Sequence, residues 1–398
     1  MTTPVSDSTT FDLTPAEREI RSAIEKLIAP FDDAYWLKRD ETGEFPHDLH
    51  QALAKAGWLG IAMPEAYGGS ALGVRAAAVM MQTIAESGAG FSGASAVHMN
   101  IFGLNPVVVF GTEDQKQRHL PPLIAGKEKA CFAVTEPDAG LDTSRIVTSA
   151  VRQGDRYIVN GRKIWISTAQ VADKILLLVR TSPRVEAKGT KPTDGLTLFY
   201  TRFDRTRAEV REIHKMGRAA VDSNQVFFDN YEIPVEDRIG DEGKGFDLIL
   251  HGLNPERILI GAEAVGLGRA ALRKARVYAG ERNVFGRAIG RNQGIQHPLA
   301  KAWMALEAAN LMVMKAASLY DAGLPCGIEA NAAKYLAAEA GYEACEASVL
   351  AHGGMGYSKD FHVERYLREA MLPRIVPVSR EMILNFIAER ALGLPKSY

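Results

Sequence analysis

Leu253-Asn254-Pro255-Glu256-Arg257-Ile258-Leu259-Ile260-Gly261 is the stretch on which the reading of the whole 398-residue chain turns. Taken alone it opens a long helix: Asn254 offers a capping side chain, Pro255 suits the first helical position, and Glu256 sits where the helix dipole favours a carboxylate. The apolar run leads into Gly261, Gly266 and Gly268, which lower helix propensity and are expected where another backbone or a ligand comes close. A packed helix is predicted. Glu256 then has two readings, a first-turn acid that complements the dipole or a base at the mouth of a site, and only the rest of the chain separates them.

Working outward, the length calls for two or three packed domains. The 47 Lys+Arg residues balance 48 Asp+Glu with no long run of either sign, so neither nucleic acid nor an anionic membrane is expected as a partner. Cys131, Cys326 and Cys345 lie too far apart for a metal cage or a disulfide framework, so no metal site is expected and the compartment should be reducing. Residues 1–10 lack both an apolar signal core and a basic amphipathic pattern, so the protein is expected in the cytoplasm. Charges interrupt the hydrophobic segments, and no membrane span is predicted.

From Thr14 to Leu123 apolar positions recur at helical spacing, and Thr14-Pro15-Ala16-Glu17 reads as a capping box. Gly57-Trp58-Leu59-Gly60 ends one helix, and 64–69 must turn sharply. The period changes between Lys129 and Pro234. Short β-rich runs at 131–135, 146–151, 157–159, 175–179, 196–200 and 225–228 alternate with turn residues, and Asn160-Gly161 is a hairpin signal. That spacing favours a small, mostly antiparallel β domain, a barrel or sandwich, over alternating βαβ units. After Gly245 the helical period returns over 255–281, 293–320, 328–350 and beyond Pro377, suggesting an antiparallel bundle of the kind that also builds oligomers. The fold class is therefore α+β, mostly α: an N-terminal helical domain (1–128), a middle antiparallel β domain (129–240) and a C-terminal four-helix bundle (241–398).

Seven segments together resemble the acyl-CoA dehydrogenase family of flavoproteins: Pro64-Glu65-Ala66-Tyr67-Gly68-Gly69, Thr135-Glu136-Pro137-Asp138-Ala139-Gly140, Asn160-Gly161-Arg162-Lys163-Ile164-Trp165-Ile166-Ser167, Met216-Gly217-Arg218, Glu281-Arg282-Asn283-Val284-Phe285-Gly286, Gln293-Gly294-Ile295-Gln296 and Gly353-Gly354-Met355-Gly356-Tyr357. Each is weak alone, but their shared order and spacing run over nearly the whole chain. The resemblance implies non-covalent FAD, oxidation of the Cα–Cβ bond of an acyl-CoA, electron transfer to an electron-transferring flavoprotein, and a homotetramer or homodimer. The chemistry agrees, because removing two hydrogens from adjacent carbons needs a base and a hydride acceptor, and no side chain accepts a hydride.

The same resemblance implies roles for particular residues. Phe132, Thr135, Trp165, Ser167 and Ser379 match cofactor contacts. Outside this context Thr135 and Ser167 read as locally satisfied strand hydroxyls and Trp165 as core. Arg282, Phe285 and Gln293 match residues that reach the FAD of a neighbouring subunit, and Gly353-Gly354 match a segment passing the adenosine half. Asn254 and Arg257 match positions near the pantetheine and the base, a role compatible with capping.

Most members place the catalytic glutamate in a Tyr-Glu-Gly-Thr segment near the C-terminus, where this chain has Val376-Pro377-Val378-Ser379. A smaller set, including the isovaleryl-CoA and long-chain enzymes, carries it in Leu-x-x-Glu-Arg, which Leu253 to Arg257 match, so Glu256 becomes the expected base. Glu369 and Glu381 are weaker candidates. Pro377 also lacks the backbone N–H that helps hold the thioester oxygen in the family, and Leu141 and Leu350 replace a usual Ser and a frequent Gln. These departures leave two alternatives: a flavin oxidase or monooxygenase on the same fold acting without CoA, and a binding protein without activity.

Overall fold

The computed structural model describes residues 13–185, 187 and 189–397, so the expectation for residues 1–10 lies outside the described residues. Seven helices come first: α1 (Pro15–Ile28), α2 (Asp33–Thr42), α3 (His47–Lys55), α4 (Gly73–Ile84), α5 (Gly90–Phe102), α6 (Asn105–Phe110) and α7 (Glu113–Ile124). The capping box at α1 forms as read, with the Thr14 hydroxyl accepting from the Glu17 amide and Glu17 accepting from the Thr14 amide at 2.8 Å. The span Gly73–Phe110 is long and apolar enough to cross a bilayer by length and composition, contrary to the expectation that charges interrupt every segment. It is not one rod. A π turn at Ala85–Ala89, with Gly88 at φ 111°, breaks it into α4 and α5, and both pack against the long helix described below.

The middle of the chain forms one eight-stranded sheet from β1 (Ala130–Ala133), β2 (Ser149–Gln153), β3 (Arg156–Ser167), β4 (Lys174–Arg180), β5 (Leu196–Arg202), β6 (Ala208–Glu212), β7 (Ser223–Pro234) and β8 (Arg238–Ile239). Its order is β6-β7-β3-β2-β4-β5-β8, with β1 beside β4. Among the described strand pairs, β1–β4 and β2–β4 are parallel and the others antiparallel. Both faces of β4 are covered: Ile175, Leu177 and Val179 join one apolar cluster, Leu176 and Leu178 a second that includes Leu104 and Leu120 from the helical part. That is why the strand reads as a continuous apolar run instead of an alternation.

Asn160-Gly161 is not a hairpin turn. Both residues lie inside β3, and the chain reverses instead at Gly154 (φ 64°), between β2 and β3. Gly161 is needed because a Cβ there would stand 2.6–2.8 Å from Thr148, and the pairing of β3 with β7 slips at this point.

The C-terminal part contains α8 (Gly245–Glu281), a short hairpin of β9 (Asn283–Val284) and β10 (Arg287–Ala288), α9 (Gln293–Asp321), α10 (Gly327–His352), α11 (Val363–Ala370), α12 (Leu372–Ile375) and α13 (Arg380–Arg390). α10 packs on α8, α9 and α13, and α4 and α5 lie against α8, so bundle and N-terminal helices share one core. The predicted start of the central helix is wrong by a large margin. α8 begins at Gly245, and Pro255 lies in its interior. Pro255 removes a single N–H without ending the helix, because packing along 37 residues outweighs one lost hydrogen bond. Asn254 is therefore no cap; its side-chain oxygen accepts from Arg257 Nη1 at 3.2 Å. The expected close packing does hold: a Cβ on Gly266 would stand 2.3 Å from the Gln82 carbonyl of α4.

Candidate active site

Glu256 lies well inside α8, beside the Asn254–Arg257 contact, so the dipole of a helix start does not act on it. Its carboxyl Oε2 is buried without a hydrogen-bond partner among the described residues. Burial pushes its pKa up to about 7; His98 from α5, Arg257 and Lys334 from α10 pull the other way, and Glu263 adds to the rise. A carboxyl poised there can exchange a proton near neutral pH, as a general base must. The other two acids are otherwise engaged. Glu369 is fully buried, accepts from the Phe91 amide at 2.6 Å and the Ser92 hydroxyl at 2.7 Å, and pairs with Arg365 at 3.1 Å. Glu381 is exposed beside Arg380.

Phe132, Thr135, Trp165 and Ser167 come together on the sheet through a buried ion pair. Lys163, fully buried, donates to Glu136 Oε1 at 2.8 Å and to the Val134 carbonyl at 2.9 Å. Glu136 in turn accepts from the amides of Val147 and Thr148 at 2.8 and 3.0 Å. Against the upward push of burial, Lys163 and these donors hold its carboxyl below the usual range. The pair ties the exit of β1 to β3, and the Ile164 amide donates to the Thr135 carbonyl at 2.9 Å. The β3–β7 register then slips between Lys163 and Ile166, and Trp165, at φ 62°, turns outward with 55% of its surface exposed. The reading of Trp165 as core is thereby excluded.

Ser167 accepts from Arg218 Nη2 at 2.9 Å, and the same buried guanidinium reaches Ser223 at 3.1 Å and Ser95 at 3.3 Å. Its Nε lacks a partner among the described residues. An exposed indole, strand hydroxyls and an incompletely satisfied buried cation form a donor set that fits a flavin. The sequence marked Arg218 only as part of a motif, and the Lys163–Glu136 pair not as a pair at all. Residues 27 apart give no local sign that they meet.

Val376-Pro377-Val378-Ser379 lies between α12 and α13, with Lys334 Nζ donating to the Val378 carbonyl at 2.6 Å and the Ser379 hydroxyl capping α13 through the Met382 amide. No carboxylate occurs in this segment. Arg282, Phe285, Gln293, Gly353 and Gly354 are all exposed: Arg282 follows α8, Phe285 lies in the hairpin turn, Gln293 opens α9 and Gly353-Gly354 follow α10, whose end meets that of α8 through the Tyr278–His352 stack at 4.3 Å. Phe285 is completely exposed. At 1.5 Å per residue, Arg282 lies about 39 Å along α8 from Glu256.

Family models match the chain in order: the acyl-CoA dehydrogenase N-terminal domain over residues 14–127, the middle domain over 131–231 and the C-terminal domain over 243–392. Acyl-CoA dehydrogenase FadE12 of Mycobacterium tuberculosis is 37% identical, the alignment covering 98% of this chain and 99% of FadE12. The caffeyl-CoA reductase-Etf complex subunit CarC of Acetobacterium woodii is 34% identical over 83% of this chain and 86% of its own. Butyryl-CoA dehydrogenase from Megasphaera elsdenii superposes with a TM-score of 0.90 at 29% identity, covering 96% of this chain and 100% of that one. The chain belongs to the acyl-CoA dehydrogenase family of oxidoreductases, and that membership implies a flavin cofactor.

Proposed function

We propose that this protein is an FAD-dependent dehydrogenase of acyl-CoA thioesters in which Glu256 removes the α proton. The observation that carries the reading is the buried, unpartnered Oε2 of Glu256, with a pKa of about 7, on the helix that packs against α5. Bound FAD supplies the hydride acceptor that side chains cannot. Glu256 takes the α proton onto its carboxylate, and burial by substrate, by raising its proton affinity further, favours that transfer. Asn254 and Arg257 hold the pantetheine side. Phe132, Thr135, Trp165, Ser167 and Ser379 contact the cofactor of their own subunit, with Arg218 fixing the Ser167 hydroxyl. The span of about 39 Å from Glu256 to Arg282 exceeds the reach of one dinucleotide. Arg282, Phe285, Gln293, Gly353 and Gly354 therefore serve the cofactor of a second copy, and the enzyme works as a homo-oligomer. The likeness to a subunit of an Etf complex supports an electron-transferring flavoprotein as acceptor.

The test is anaerobic mixing of the FAD-loaded enzyme with an acyl-CoA panel. Wild type should lose its oxidised flavin absorbance, and Glu256→Gln should bind ligand without that loss; normal bleaching by the variant removes Glu256 as base. Pro377, which offers no N–H to a thioester oxygen, favours the alternative of a flavin oxidase or monooxygenase acting without CoA. Rapid reoxidation by oxygen with no bleaching by any acyl-CoA would select it.

A further inference from the structure

Two turns beyond Glu256 on α8 lies a polar pair that a plain hydrocarbon chain does not call for. Glu263 follows Glu256 by seven residues, so the two carboxyls share a face about 10.5 Å apart along the axis. Glu263 is fully buried, and its Oε1 lies 2.5 Å from Nδ1 of His98 on α5. The remaining polar atoms of the pair, Glu263 Oε2 and His98 Nε2, are also buried, and neither has a partner among the described residues. Burial alone would lower the His98 pKa, but the Glu263 charge raises it. The pair thus presents an unused acceptor at Oε2 and, at Nε2, an unused atom that donates or accepts according to the ring's protonation, and unmet buried groups of this kind are costly to the fold.

Its place in the site gives the pair a direction. The His98 ring packs on Phe102 at 4.6 Å, and Phe102 meets Phe132 of β1 at 5.8 Å, so the pair borders the wall matched to the cofactor. Asn254 and Arg257 flank Glu256 at one end of this stretch of α8, and Glu263 lies farther along it. Resting on the proposed function, a thioester whose pantetheine runs past Asn254 and Arg257 carries its outer acyl carbons toward His98 and Glu263. We propose that the acyl group of the substrate bears a neutral hydroxyl on its distal part, received at His98 Nε2 or Glu263 Oε2. A hydroxyl can donate to either atom, and it can also accept from a protonated Nε2. A carboxylate can only accept, and it would place a third acid beside Glu256 and Glu263; an ammonium cannot accept and would meet His98 and Arg218.

The experiment compares matched CoA thioesters from hexanoyl to decanoyl, and phenylpropionyl, each plain, terminally hydroxylated or terminally carboxylated. Affinity is read from perturbation of the flavin spectrum in the Glu256→Gln holoenzyme, and bleaching in wild type. One hydroxylated ester of the series should bind about tenfold tighter than its plain and carboxylated counterparts. That ratio should fall in His98→Leu and in the shape-conserving Glu263→Gln. Plain or carboxylated esters binding as tightly as every hydroxylated one overturn this inference and, if wild type still bleaches, leave Glu256 as the base. Failure of every CoA ester to bind or bleach overturns both readings.

Discussion

Replacing Glu256 by Gln should do two opposite things, because the same burial that readies the carboxyl also strains the folded state when it is charged. The folded-state pKa of about 7 stands above the ordinary 4.5, a rise equivalent to at most about 3 kcal/mol. The sign follows from proton binding. Below pH 4.5 both folded and unfolded chains hold the proton, and the group does not affect stability. As pH rises from there through 7, the unfolded chain releases its proton first, while the folded protein holds one that it must eventually give up at a cost, so stability is lost over that window. The neutral amide of Glu256→Gln cannot ionise and escapes this loss. The variant should therefore match wild type in acidic buffer and become the more stable of the two as pH passes 7, by several degrees in thermal unfolding of the FAD-loaded protein followed across a pH series. Flavin bleaching by acyl-CoA should meanwhile slow by about two to four orders of magnitude, the usual contribution of a positioned base. For wild type the bleaching rate should rise with pH through the region of 7. A stability difference that stays flat across the series, or a variant that bleaches flavin at the wild-type rate, refutes the reasoning.

Lys163→Met leaves Glu136 charged and uncompensated among buried groups, and should destabilise the sheet by about 3–5 kcal/mol in denaturant unfolding; Lys163→Met with Glu136→Gln should recover much of that loss. Gly266→Ala pushes a methyl against the Gln82 carbonyl, and should lower the melting temperature markedly, whereas Gly280→Ala, where a Cβ meets nothing within 4 Å, should not. Arg282→Ala should shed FAD on gel filtration. On the proposal that Arg282 and Glu256 serve different copies, mixed oligomers of Arg282→Ala and Glu256→Gln subunits should regain bleaching that neither parent shows.

Much of this fold is written in local pattern. The capping box at Thr14, the apolar run of β4 and the Ala-rich helices carry their periods openly, and the seven motifs fix their order. Two misreadings arose where a local rule met tertiary context. Pro255 and Asn254 form a convincing helix start, yet the preceding residues from Gly245 are already helical and the packed length of α8 absorbs the proline. Asn160-Gly161 is a convincing turn, but its glycine answers to Thr148, a neighbour across the sheet. Within the candidate site, the Glu-Arg context singled out Glu256, the residue proposed as base. The anchoring of Thr135 and Trp165 by Lys163 and Glu136, the reach of Arg218 to Ser167, and the pairing of His98 with Glu263 were not. Each joins residues far apart in the chain, 165 positions in the last case, and no periodicity records such a meeting.

α8 runs for 37 residues, about 55 Å, with the acid nearly a third of the way along it and Arg282 just past its far end. On the proposed function, each subunit lends its neighbour a hand at the far tip of the strut that carries its own proton acceptor. Under that proposal a solitary polypeptide is only half an enzyme, and taking up cofactor and finding a companion become a single event.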